Sequence, residues 1–70
     1  MKTEQYLNEL RVEAKEFEKD GGNIYLFWAG RLAIACTQVA NSNAFALSTN
    51  IEWMDLVRQE YDNSIFNKLT

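Results

Sequence analysis

Histidine and proline are missing from this 70-residue chain, and cysteine occurs once, at Cys36. Without histidine the commonest general base and the commonest transition-metal ligand are gone, which excludes Ser-His-Asp and Cys-His constellations and histidine-dependent metal sites. A lone thiol closes no intrachain disulfide and makes no zinc site, so a disulfide-stapled secreted scaffold is excluded too. The longest apolar stretch, Ile24 to Ala29, is far short of a membrane span, and MKTEQYLNEL has no apolar run of the kind a signal peptide needs. These absences lead to the expectation of a cytoplasmic protein. Glycine is scarce, and its one cluster, Gly21-Gly22, lacks the spacing and the preceding strand of a phosphate loop.

What is present describes one small folding unit. The chain is 47% hydrophobic and 13% aromatic, as ordinary globular proteins are, and too short for a second core. Ten acidic residues against seven basic ones give a net charge of −3, which opposes binding that relies on neutralising many phosphates. A basic protein surface suits this balance better than nucleic acid does.

From Thr3 to about Asp20, Tyr6, Leu7, Leu10, Ala14 and Phe17 recur at helical spacing, with Thr3 a candidate N-cap and Asp20-Gly21-Gly22-Asn23 a glycine stop. The run Arg31 to Thr37 alternates large and small side chains, as does Ala44 to Ser48, which is the period of strands. Three strands are expected, at 23–28, 31–39 and 44–48, with turns at Ala29-Gly30 and Asn41-Ser42-Asn43. Thr49-Asn50-Ile51-Glu52 has capping-box spacing, so a second helix should start there and bury a stripe of Trp53, Met54, Val57 and Tyr61. The expected class is α+β: a helix, a three-stranded antiparallel meander and a helix, both helices on one sheet face. The alternative is all-α, three helices, with 24–40 as one buried helix.

In the α+β arrangement Ile24, Leu26, Trp28, Leu32, Ile34, Phe45 and Leu47 face the core, and Cys36 belongs to the interior. The opposite face presents Tyr25 and Phe27 among small residues, an apolar surface of the kind that marks an interaction site. Glu9, Glu13, Glu16 and Asp20 lie along one side of the first helix, where exposed carboxylates suit steering rather than catalysis. Arg11, Lys15 and Lys19 form a basic strip with Glu4 and Glu18 beside it as pairing partners.

In size, charge and element order the chain resembles small inhibitors from phages and mobile elements, including some anti-CRISPR proteins. The resulting expectation is a non-enzymatic protein-binding module without cofactor or metal, an acidic inhibitor or regulator that occludes a partner surface. Tyr25 and Phe27 would anchor the partner, and Glu9, Glu13, Glu16 and Asp20 would orient it. The alternative is a self-associating structural or regulatory subunit, a homodimer through the open sheet face.

Overall fold

The computed structural model describes residues 2–69, with side chains from Thr3 to Phe66. It contains three helices, α1 (Lys2–Lys19), α2 (Ile24–Ala40) and α3 (Leu47–Leu69), and among the described residues there is no strand. The α+β meander is therefore corrected to the all-helical alternative: Ala29-Gly30 lies inside α2, and all three expected strands are helical or in the connection before α3.

The size alternation of 31–37 carries no alternation of polarity, so it never defined a solvent face for a sheet. The same segment holds a helical stripe. Trp28, Leu32, Ala35 and Val39 are spaced four, three and four apart; Trp28 and Ala35 are buried and the other two half-buried. Leucine and four alanines further favour the helix.

Helix α1 ends as its glycines require. Gly21 takes φ +94°, its N–H donates to the Glu18 carbonyl at 3.0 Å, and the Gly22 N–H donates to the Phe17 carbonyl at 2.9 Å. This is the paired hydrogen-bond pattern of a left-handed helix stop. The candidate N-cap Thr3 is instead inside α1. Before α3, the Asn43 side-chain oxygen accepts from the Ala46 N–H at 2.9 Å and its carbonyl accepts from the Leu47 N–H at 3.0 Å. Asn43 thus supplies the cap, and the capping box expected at Thr49 lies within the helix.

Cross-helix contacts fix the directions. Tyr6 meets Trp53 and Arg11 meets Glu60, so α1 and α3 run parallel, whereas Glu13 meets Arg31 and Phe17 meets Phe27, so α1 and α2 run antiparallel. The result is an up-down-up bundle in which α2 and α3 pack most intimately and α1 lies more lightly on both. Leu7, Leu10, Ala14, Trp28 and Val57 form the buried centre, with Ile24, Phe27, Leu32, Trp53, Leu56 and Tyr61 packed around it. Trp28 and Trp53 accordingly sit where the sequence placed them, in and against the core. Leu26, Ile34, Phe45 and Leu47, expected inside, are exposed, because a period of two assigns the wrong half of a helix to the interior.

The shape is elongated, 39 × 22 × 18 Å, with a radius of gyration of 12.7 Å. A compact chain of this length has a radius of about 11 Å. No described helix is long and apolar enough to cross a membrane.

Candidate functional site

The light packing of α1 leaves an open groove of about 440 Å³ between the N-terminal half of α1, the second half of α2 and the start of α3. Its apolar part is Tyr6 and Leu10 from α1, Ile34 from α2 and Trp53 from α3. Tyr6 and Trp53 meet edge to face, centroids 6.2 Å apart at 70°, an arrangement that fixes both rings as a wall. Tyr6 and Ile34 are nonetheless 64% and 51% exposed, so more than half of each is open to an incoming group.

The polar part is neutral except for one cation. Thr3, Gln38, Thr49 and Asn50 line the end of the groove where α1 and α3 begin. The Asn50 side chain is held by donating to the Ser42 hydroxyl at 2.6 Å, and Ser42 in turn donates to the Gln38 carbonyl at 2.6 Å. Arg31 stands at the opposite edge, its guanidinium 3.2 Å from a Glu13 carboxylate oxygen and 5.5 Å from the centroid of the Phe27 ring. An arginine held by a carboxylate and an aromatic face is oriented rather than free to sweep.

The expected site residues divide in two. Glu9, Glu13, Glu16 and Asp20 are all exposed, and their spacing puts them on one side of α1, the side from which Glu13 reaches Arg31 on α2. Tyr25 and Phe27 are not open anchors: both are half-buried, and Phe27 packs against Trp28 with centroids 5.4 Å apart and against Phe17 at 5.9 Å. Their displacement follows from the loss of the sheet, since residues two apart share one face of a strand but lie about 200° apart around a helix. Cys36, expected inside, is exposed on α2 for the same reason. Arg11 leaves the basic strip, binding Glu60 on α3 and, at 2.8 Å, the Asn8 side-chain oxygen.

Sequence reading missed the groove because its apolar residues come from three separate helices. Only Tyr6 carried a local signal, a ring at the edge of the α1 stripe and directly ahead of Leu7, which takes the buried position. Among the described residues, no cluster of acidic or sulfur side chains could hold a metal ion. No protein-family model, curated protein or solved structure matches the chain.

Proposed function

We propose that this protein is a non-enzymatic binding module that seats a segment of a protein partner in the groove between its helices, acting as a small acidic regulator by covering the partner's surface. The observation that carries the reading is the groove itself, where exposed Tyr6 and Ile34 flank Trp53 and a fixed Arg31. Partly exposed aromatics beside a polar rim resemble the anchor pockets of protein interfaces. Glu13 reaches Arg31 at the edge of this opening, and Glu9, Glu16 and Asp20 share its side of α1, so the segment that fits is basic with an apolar or aromatic anchor. The likeness in element order to phage inhibitors falls with the sheet and contributes nothing to this reading.

The test is capture of partners on immobilised wild-type protein and on Tyr6→Arg, a change the exposed position should tolerate. Loss of the captured partner with Tyr6→Arg, together with slowed association and weakened salt dependence in Glu9→Lys, is the expected pattern. Equal capture by Tyr6→Arg would remove the groove from consideration.

A further inference from the structure

We infer that the outward face of α2 is a self-association surface that pairs with the same face of a second copy in an antiparallel, twofold arrangement. Between Asp20 and Glu52 the only charged residue is Arg31, and it lies on the groove side of α2. The side turned away from the core carries Leu26, Gly30, Ala33 and Thr37 at spacings of four, three and four, and all are exposed. A helix without a charged face is ordinarily one that is covered on all sides. Even Thr37 fits an apolar covering, because its hydroxyl is satisfied within the helix by donating to the Ala33 carbonyl at 3.0 Å.

Gly30 identifies what kind of cover is missing. A Cβ placed there meets nothing within 4 Å, so no packing inside the protomer calls for glycine in mid-helix, where it destabilises relative to alanine. Close approach of another backbone is the circumstance that does call for it. The exposed area agrees. The chain exposes 5340 Å², whereas folded monomers of 8.1 kDa expose about 4,500 Å². The surplus, roughly 800 Å², belongs to the whole elongated chain and is of the size each partner buries in an interface of standard size.

A second copy is the occupant these facts favour, because the face is neutral and self-complementary. Apart from Arg31, every charged residue lies at or before Asp20 or from Glu52 onward, so two outward α2 faces can meet without opposing like charges. An antiparallel crossing centred between Gly30 and Ala33 sets Leu26 of each copy against Thr37 of the other, and Gly30 against Ala33, as an isologous interface requires. With helix axes about 8 Å apart and Cα atoms about 2.3 Å off axis, the two Ala33 Cα atoms, offset along the axis by about 4.5 Å, come to about 5.6 Å from each other, within disulfide range.

This inference stands apart from the groove, and its test keeps the two separable. Sedimentation equilibrium from micromolar to millimolar concentration should show a reversible dimer of the 8.1 kDa chain. Ala33→Cys in a Cys36→Ser background should cross-link to a covalent dimer under mild oxidation. Ala33→Glu, at an exposed position, should keep its helical circular dichroism while raising the dissociation constant more than about a hundredfold. Mixing Ala33→Glu with Ala33→Lys should restore the dimer, and Tyr6→Arg should leave it intact. A wild-type monomer at millimolar concentration would overturn the inference, and a dimer unaffected by Ala33→Glu would overturn it equally.

Discussion

Replacing Gly30 with alanine should make the isolated protomer more stable, an unusual direction for a substitution at a chosen site. Gly30 lies in the interior of α2, and the added Cβ meets no atom within 4 Å, so neither clash nor new packing enters. Helix propensity alone remains, worth about 0.5–1 kcal/mol in favour of alanine. For a chain of this size that is a rise in melting temperature of about 2–8 °C. The assay is thermal denaturation followed by circular dichroism at low micromolar concentration, repeated as concentration increases. At low concentration Gly30→Ala should melt above wild type. With increasing concentration the advantage should shrink, because the methyl enters the dimer crossing and opposes an association that stabilises wild type by mass action. The sign also tests the fold, since a glycine in a tight hairpin turn with positive φ would lose stability on becoming alanine. A fall in melting temperature at low concentration would show that the backbone at Gly30 is crowded or non-helical, and the argument for an open α2 face would fail.

Trp28→Ala should cost about 3–5 kcal/mol and abolish a cooperative thermal transition, since the indole is only 2% exposed at the centre of the core. Val57→Ala, fully buried, removes two methyl groups and should cost about 2 kcal/mol by chemical denaturation; a change within experimental error would contradict that packing. Cys36 should react with a thiol reagent in the native protein without denaturant, because it is exposed on α2; protection in dilute, monomeric protein would place it inside. A double-mutant cycle on Arg11 and Glu60 should give a coupling of about 0.2–1 kcal/mol that fades with salt, the Arg11 side chain being 50% exposed.

What the sequence made legible was local. The first helix was readable because Leu7, Leu10 and Ala14 sit opposite charged positions, and its end because only glycine accepts the φ of +94° at Gly21. The middle was not, because a helix with one charge in seventeen residues has no polar face to register its period. Between Ile24 and Ala40 the sequence records that the segment is apolar, and size alternation then imitates a strand. Trp28 was placed correctly on either reading, being large enough to require burial in any fold of this chain. Ile34 and Leu26 were misplaced because hydrophobicity alone names no side, and here the side is decided by how little of α2 the other two helices can cover. The groove was illegible for a different reason: Tyr6, Ile34 and Trp53 are brought together only by the directions of three helices, which no local spacing encodes.

The same absence of charge that concealed α2 accounts for how its two exposed sides divide. A single cation on α2 must either face outward, where twofold pairing would bring it against its own copy, or lie at an edge where the protomer compensates it. Arg31 takes the edge, with Glu13 at 3.2 Å and the Phe27 ring beneath its guanidinium. Compensation there leaves the outward side neutral and leaves Arg31 oriented at the groove. Moving the charge outward, as Arg31→Gln with Ala33→Arg, should therefore disable both surfaces by different routes. Self-association should be lost because like charges meet across the axis, and partner capture should weaken because the groove edge loses its oriented hydrogen-bond donors. Arg31→Gln alone should weaken capture and leave the dimer in place. A double variant that still dimerises would show that α2 is not at the twofold axis, whatever the fate of the groove.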